Sequence, residues 1–249
     1  MTQHLTIITG ASRGLGLALA RQCLEAGHRV LTISRRPAEL PSPAGAELEQ
    51  WSADLAEPAP VAARLQAWLA ATDPGTLASA TLVNNAGVIS QLAPLDRISA
   101  ADLSQALRVG LEAPTLLTAT FLRATAAWPL PRKLLLVSSG LGRRAMAGSA
   151  SYCAAKAGLD HLARAVALEQ AALPQGARIV SLAPGVIDTD MQLQLRSADA
   201  QAFGERARFA SLKNEGRLDS AEAAAAKVLA WLERADFGRA TRSATCATR

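Results

Sequence analysis

Residues 9–16 read Thr9-Gly10-Ala11-Ser12-Arg13-Gly14-Leu15-Gly16, and they join an apolar run to an amphipathic stretch. The apolar run, residues 5–9, predicts a strand, and the stretch near residues 15–26 predicts a helix. Glycines in such a connection permit a tight turn and a close approach of the backbone to a ligand. The first turn of the helix adds unpaired N–H groups and a positive dipole, which suit a pyrophosphate. The segment therefore predicts a strand–turn–helix unit that binds a dinucleotide.

The same alternation of short β-branched runs with longer stretches rich in alanine and leucine continues along the chain. This order is typical of βαβ units around a parallel sheet. The short runs show little polar alternation, which indicates strands that are buried on both faces. We therefore predict an α/β fold with a doubly wound parallel sheet, in three α/β/α layers. Further strands are predicted at residues 29–34, 48–52, 81–84, 133–138 and 178–183. Further helices are predicted near residues 61–71, 101–127, 152–173 and 221–234.

Length and composition fit a single domain over residues 1–249, because a chain that is 50% hydrophobic can bury one large core and no linker interrupts it. Residues 188–214 are polar, charged and weakly periodic, so we predict a mobile cap over a pocket, with a pair of surface helices as the alternative. Residues 239–249 are poor in strand formers, which predicts an irregular tail and makes a final edge strand doubtful. A shifted reading frame is one hypothesis for this tail.

The composition disfavours several classes of function. The chain starts without a cationic leader and has no run of about 18 apolar residues, so we expect a cytoplasmic protein without a membrane span. The three cysteines and three histidines are dispersed, which argues against a metal site and a disulfide framework. The net charge of +5 comes from arginines spread along a chain with few aromatic residues, so we do not expect nucleic-acid binding.

One pair of residues points to acid–base chemistry. Tyr152 is the only tyrosine of the chain, and Lys156 is one of four lysines. Positions i and i+4 share a helix face, so the ammonium can support the phenol, although the pair alone would also suit an ordinary helix surface. Ser139 follows the predicted strand 133–138, at the carboxyl edge of the sheet, where open α/β folds bind ligands. We therefore expect these three side chains to form one site.

These motifs resemble the short-chain dehydrogenase/reductase family. The glycine spacing is Gly-x-x-x-Gly-x-Gly, the run Asn84-Asn85-Ala86-Gly87 closes the fourth predicted strand, and Ser139 precedes Tyr152 by thirteen residues. The resemblance covers most of the chain and implies a Rossmann-type dinucleotide-binding fold. Around Met191 and Gln192 the sequence is similar to the benzil reductases and their sepiapterin-reductase-like relatives.

The resemblance implies catalytic roles for Ser139, Tyr152 and Lys156. Tyr152 would donate its proton to a carbonyl oxygen as hydride reaches the carbon, and Ser139 would hydrogen-bond that oxygen. Lys156 would bind the ribose of the nicotinamide. Because a free phenol has a pKa near ~10, we expect Lys156 and the positive charge of an oxidised nicotinamide to lower the pKa of Tyr152.

The end of the second predicted strand bears on the choice of cofactor. Sites that prefer NAD carry an acidic residue there for the ribose 2′-hydroxyl, whereas this strand ends Ser34-Arg35-Arg36. Guanidinium groups can bind a 2′-phosphate, with Arg13 as a further cation, so we predict NADP(H). The alternative is that these arginines are merely solvated. From these arguments and the resemblance, the predicted cofactor-binding residues are Gly10, Ser12, Arg13, Gly14, Leu15, Gly16, Arg35, Arg36, Asp54, Leu55, Asn85, Ala86, Gly87, Tyr152, Lys156, Pro184, Gly185, Val186 and Thr189.

The chain departs from the family pattern at one position. Relatives carry an asparagine in the long helix before the fifth strand, where it holds a proton-relay water. Alignment by Val109, Leu111 and Pro114 places Gly110 at that position. Glycine has no side-chain amide, so we expect a reduced but not abolished turnover.

The resemblance implies NADPH-dependent reduction of a small-molecule carbonyl, a ketone or a benzil-like 1,2-diketone, to an alcohol. One alternative is a 3-oxoacyl-[acyl-carrier-protein] reductase, and an alternative of another class is a non-catalytic regulator that senses NADP(H). The helices predicted near residues 101–127 and 152–173 pair between subunits in relatives, which implies a homodimer or homotetramer. Substrate choice depends on loops around the site, which fold analogy does not settle.

Overall fold

The chain folds around a parallel sheet, which we describe from a computed structural model of residues 2–41, 43–239 and 243–245. Seven strands lie in the order β3-β2-β1-β4-β5-β6-β7, and neighbouring strands pair in parallel. This is the predicted doubly wound Rossmann-type fold. The strands are β1 (Gln3–Thr9), β2 (Arg29–Ser34), β3 (Glu47–Ser52), β4 (Leu77–Asn84), β5 (Arg132–Val137), β6 (Arg178–Ala183) and β7 (Ser243–Thr245).

Helices cover both faces of the sheet, which explains why the central strands are apolar on both sides. On one face α2, α4 and α5 contribute to a core with Phe121 and Leu159, and on the other face α1 packs with α8 around Leu19 and Val228. The predicted three-layer arrangement is confirmed. The helices are α1 (Gly14–Glu25), α2 (Pro58–Ala70), α3 (Ala100–Leu107), α4 (Ala113–Ala124), α5 (Ala150–Ala171), α6 (Asp190–Arg196), α7 (Arg206–Asn214) and α8 (Ala221–Glu233).

The single helix predicted near residues 101–127 is in fact interrupted. A π-helical turn, Arg108–Glu112, separates α3 from α4, and the N–H of Ala113 donates to the carbonyl of Arg108 across the wider turn. Pro114 lies in the first turn of α4. Because proline has no N–H, it leaves the carbonyl of Gly110 without the i+4 donor of a regular helix. The prediction missed this break because the apolar periodicity continues through it.

The prediction of an irregular tail over residues 239–249 is wrong for residues 243–245. They form β7, which pairs with β6 in the register Ser181↔Ser243, Leu182↔Ala244 and Ala183↔Thr245. Ala244 is buried at the edge of the core, so a small residue suffices there. Strand propensity depends strongly on such context, which is why the composition misled the prediction. The doubt about a final edge strand is thereby resolved, while residues 240–242 and 246–249 lie outside the described part of the chain.

In the described part of the chain, no helix is long and apolar enough to cross a bilayer.

Candidate active site

A cavity of about 730 Å³ opens at the carboxyl ends of the strands, where the strand order reverses between β1 and β4. Such switch points are where open α/β sheets bind ligands. The cavity brings together Ser139, Tyr152, Lys156 and the predicted cofactor residues, with the exception of Arg36, which does not line it. Lining residues that the sequence analysis did not assign to the site include Ser34, Gln105, Leu141, Arg144, Gln192, Phe209 and Thr245.

The glycine turn has the backbone geometry of a phosphate cradle. Gly10 and Gly14 have φ values of 69° and 54°, in the left-handed region that favours glycine. A Cβ on Gly16 would lie 2.3 Å from the carbonyl oxygen of Gly10, so only glycine lets α1 start this close to β1. The first turn of α1 lines the cavity and supplies unpaired N–H groups and a positive dipole. The residues present therefore fit a dinucleotide pyrophosphate.

Asn85 and Thr9 hold the glycine turn after β1 against the turn after β4. The Asn85 side-chain amide donates to the carbonyls of Thr9, at 2.9 Å, and Gly10, at 3.1 Å. The Thr9 hydroxyl accepts from the backbone N–H groups of Asn85 and Ala86. Asn85 was predicted to bind the cofactor; its amide supports the glycine turn, and its neighbour Asn84 instead donates to Thr118 inside the protein.

The end of β2 carries no carboxylate. Ser34 accepts a hydrogen bond of 2.8 Å from the N–H of Ala11, which ties β2 to the glycine turn. Arg35 and Arg36 are both exposed, but Arg35 alone of the two lines the cavity. Arg13 is engaged in an ion pair of 2.6 Å with Asp190, at the start of α6. Sequence reasoning could not foresee that pair, because its members lie 177 residues apart.

Tyr152 and Lys156 lie in the first two turns of α5, on the face that meets the cavity. The Lys156 Nζ atom lies 5.5 Å from the centre of the Tyr152 ring and donates a 2.7 Å hydrogen bond to the carbonyl of Val137, the last residue of β5. Ser139 follows β5 closely, and its hydroxyl accepts from the N–H of Leu141 at 3.2 Å. The strand end thus presents a hydroxyl to the cavity that the phenol and the ammonium also line.

Burial dominates the acid–base properties of this pair. It raises the pKa of Tyr152 to about 12, with the nearby Ser139 hydroxyl acting in the opposite direction. It also lowers the pKa of Lys156 to about 8, against the charge of Asp160, which raises it. We expected Lys156 to lower the pKa of Tyr152, but in the protein by itself desolvation of the phenol raises that pKa. At neutral pH Tyr152 is therefore a protonated phenol, which is the form of a proton donor.

Gly110 lies in the π-helical turn and faces α5. It is buried, it does not line the cavity, and a Cβ there would lie 3.1 Å from the Cβ of Ala155. Ala155 directly precedes Lys156. The position expected to carry an asparagine is therefore tightly packed against α5.

The outer wall of the cavity is apolar. Leu141, Leu195 and Phe209 line it and belong to a cluster that also contains Leu92, Met146 and Phe203, with Tyr152 and Cys153 packed against it. Phe203 and Phe209 stack with their ring centres 5.9 Å apart. Part of this wall comes from α6, α7 and the segment between them. Gln192, in the same segment, is a buried polar group whose side-chain oxygen has no partner among the described residues.

Known proteins are similar to this chain in sequence and in fold. The sequence model of the short chain dehydrogenases matches residues 4–200. The chain is 33% identical to a benzil reductase ((S)-benzoin forming) of Bacillus cereus, over 93% of this chain and 94% of that protein. It is 30% identical to the sepiapterin reductase of Rattus norvegicus, over 93% of this chain and 92% of that protein. The solved structure of a putative NAD(P) dependent gluconate 5-dehydrogenase from Beutenbergia cavernae, with NADP bound at low occupancy, superimposes with a TM-score of 0.77 and 27% identity, covering 99% of this chain and 96% of that one.

The family match extends over most of the chain, and the Rossmann-type fold agrees with it. The chain is an oxidoreductase that belongs to the short-chain dehydrogenase/reductase family.

Proposed function

We propose that the protein reduces a ketone or a 1,2-diketone of the benzil type to an alcohol, with NADPH as the hydride donor. The observation that carries the proposal is the place of Tyr152, the only tyrosine. It stands between the dinucleotide cradle and an apolar wall, beside Lys156 and Ser139. Proton donor, cofactor and an apolar carbonyl substrate can meet there.

Ser139, Tyr152 and Lys156 have different roles in the proposed reduction. A bound nicotinamide supplies the hydride. The Ser139 hydroxyl hydrogen-bonds the carbonyl oxygen and stabilises the negative charge that develops on it. Tyr152, which burial keeps protonated, donates its proton to the same oxygen. The charged Lys156 stabilises the phenolate that remains, and it can bind the ribose hydroxyls.

The preference for NADP(H) rests on charge. The end of β2 has no carboxylate to repel a 2′-phosphate, and Arg35 lines the cavity beside it. Arg13 would contribute a second cation if the phosphate replaced Asp190 as its partner. The likeness to a structure that binds NADP supports this choice.

The substrate preference rests on the apolar wall and on the relatives. Leu141, Leu195 and Phe209 offer dispersion contacts to an aryl group, and the B. cereus relative is a benzil reductase. A 3-oxoacyl-[acyl-carrier-protein] reductase is the second candidate within enzymes, for which the basic surface would receive an acidic carrier. A non-catalytic NADP(H) sensor is the candidate from another class.

We also propose that residues 188–214 cover the bound substrate as a cap. Asp188 joins the two helices of this segment, because it accepts from Arg196 at 3.0 Å and from Lys213 at 2.5 Å.

The exposed apolar residues Leu107 and Leu168 fit a homodimer or homotetramer that pairs the faces of α3 and α5. Light scattering would give the oligomeric state.

NADPH oxidation measured at 340 nm tests the function. Purified protein should reduce benzil faster than an acetoacetyl thioester, and NADPH should serve better than NADH. Tyr152→Phe should reduce the rate at least ~100-fold, the usual contribution of a general acid. A higher rate with the thioester would favour the carrier-protein reductase. Wild-type protein that binds NADPH but is as inactive as Tyr152→Phe on all carbonyls tried would favour the sensor.

A further inference from the structure

A third polar residue follows the catalytic pair along α5. Asp160 lies one turn beyond Lys156, just as Lys156 lies one turn beyond Tyr152, so the three share a helix face. Asp160 is 0% exposed. A buried carboxylate is costly unless other groups compensate its charge, so its neighbours show what holds it.

Two groups outside α5 compensate Asp160. The Ser181 hydroxyl, on β6, donates to Oδ1. Nε of Arg143 lies 3.2 Å from Oδ2, an ion pair without the alignment of a hydrogen bond. Oδ2 therefore has no hydrogen-bond donor in the described part of the chain, and the Arg143 guanidinium is its ionic partner.

The loop that follows Ser139 lies directly on α5 at this point. A Cβ on Gly142 would lie 2.9 Å from Oδ2 of Asp160 and 2.9 Å from the carbonyl oxygen of Lys156. A displacement of the Asp160 carboxylate would therefore also shift the loop that carries Ser139.

Arg143 connects the same carboxylate to the last strand. Its Nη1 donates to the Thr245 hydroxyl at 2.6 Å, and its Nη2 donates to the carbonyl of Ala244 at 2.9 Å. Thr245 also lines the cavity. One guanidinium thus joins α5, the loop after Ser139 and β7.

We infer that Asp160 is a positioning residue for the proposed reaction: its buried carboxylate keeps the Lys156 ammonium charged, and through Arg143 it ties the Ser139 loop to β7. The inference rests on the proposed function only in taking Lys156 as the group that supports the phenol. It explains why a buried acid lies next to a lysine that burial would otherwise neutralise.

Among the described residues around Lys156, Asp160 is the negatively charged group that acts on its ammonium. From β5 the Val137 carbonyl faces Nζ, and from the loop after β4 the backbone of Gly87 approaches it. The titratable neighbour towards the start of α5 is Tyr152, whose pKa of about 12 leaves it neutral. Burial lowers the pKa of Lys156 to about 8, and Asp160 is the charge that acts against this.

NMR measures the influence of Asp160 on the pKa of Lys156 directly and without turnover. The chain has four lysines, so protein labelled with ¹³C-lysine gives few Cε signals, and Lys156→Arg assigns one of them. We expect Lys156 to titrate near pH 8 in the wild type and at least about one unit lower in Asp160→Asn, because an opposite charge has been removed. The alkaline limb of turnover should move to lower pH with it.

Glu169→Gln is the matched control, since it removes the same charge from an exposed position of α5, roughly 20 Å along the helix from Lys156. Its titration should equal that of the wild type. An Asp160→Asn protein that folds and titrates like the wild type would overturn the inference. If Asp160→Asn does not fold, Asp160→Ser, which also removes the charge, should lower the titration of Lys156 in the same way, and an unchanged titration would likewise overturn the inference. Wild-type protein that titrates as expected but reduces no carbonyl would refute the proposed function and leave standing only the effect of Asp160 on the charge of Lys156.

Discussion

The glycine turn makes a quantitative prediction at Gly16. In Gly16→Ala the new Cβ would lie 2.3 Å from the carbonyl oxygen of Gly10 and 2.5 Å from Nδ2 of Asn85. Non-bonded carbon atoms pack best at about 3.5–4.0 Å, so the turn must move by roughly 1 Å. Overpacking of this kind costs about 1–3 kcal/mol, and distortion of the two Asn85 hydrogen bonds adds a fraction of the ~1 kcal/mol that each contributes.

We expect Gly16→Ala to lower the free energy of unfolding by about 2–3 kcal/mol. For a domain of this size that corresponds to a melting temperature lower by roughly 4–12 °C. The same displacement should raise the Kd for NADPH at least ~10-fold, which is equivalent to 1.4 kcal/mol lost at the pyrophosphate cradle. Thermal unfolding followed by circular dichroism gives the first quantity, and NADPH fluorescence titration gives the second.

Gly204→Ala is the control, because a Cβ at Gly204 would meet nothing within 4 Å and its φ is not positive. It should leave both the melting temperature and the Kd within error of the wild type. If Gly16→Ala behaved like Gly204→Ala, the close approach of α1 to the end of β1 would not be what positions the cofactor.

Two further predictions concern the relay position and the cofactor. Gly110→Asn should slow turnover several-fold, because the new Cβ would lie only 3.1 Å from the Cβ of Ala155 and force α5 to shift. Adding Ala155→Gly to this variant should restore the rate. A Gly110→Asn protein as fast as the wild type would contradict the packing argument. Arg35→Glu should raise the KM for NADPH at least ~10-fold. Arg36→Glu changes a residue outside the cavity and should leave this KM unchanged. Equal effects of the two changes would contradict the assignment of Arg35 to the 2′-phosphate.

Most of the sheet was predictable because β1, β2, β4, β5 and β6 are short, largely apolar runs with their own end signals. The strands predicted at residues 29–34 and 178–183 coincide with β2 and β6, and others differ by a few residues at their ends. Buried parallel strands must be apolar on both faces, and the glycine turn fixes the first βαβ unit, so local sequence carries this information.

The π-helical turn was missed although its cause is local, because the missing N–H of Pro114 leaves no trace in hydrophobic periodicity. The last strand, in contrast, depends on distant residues. β7 forms because β6 offers a free edge and Arg143 holds its carbonyl and hydroxyl groups. Local sequence contains neither of these.

The side chains that we propose as catalytic were singled out in the sequence, but their acid–base state was not. The pattern placed Tyr152 and Lys156 on one helix face, as the structure shows. It gave no indication that burial would raise the pKa of the phenol to about 12. Nor did it single out Asp160, whose burial beside Ser181 is visible only once α5 and β6 are packed together.

The central claim is that Tyr152 is a half-buried proton donor whose pKa is raised by desolvation and whose phenolate is stabilised when the cofactor is oxidised. Since the chain has one tyrosine, absorbance at 295 nm against pH follows this phenol alone, with Tyr152→Phe as the baseline. The free protein should show no phenolate until well above the pH of ~10 at which a free tyrosine ionises, in line with a pKa of about 12. Saturating NADP⁺ should move the rise to lower pH, because a positive charge near the ring favours phenolate. Ionisation near pH ~10 in the folded free protein, or a curve that NADP⁺ leaves unchanged, would contradict the account.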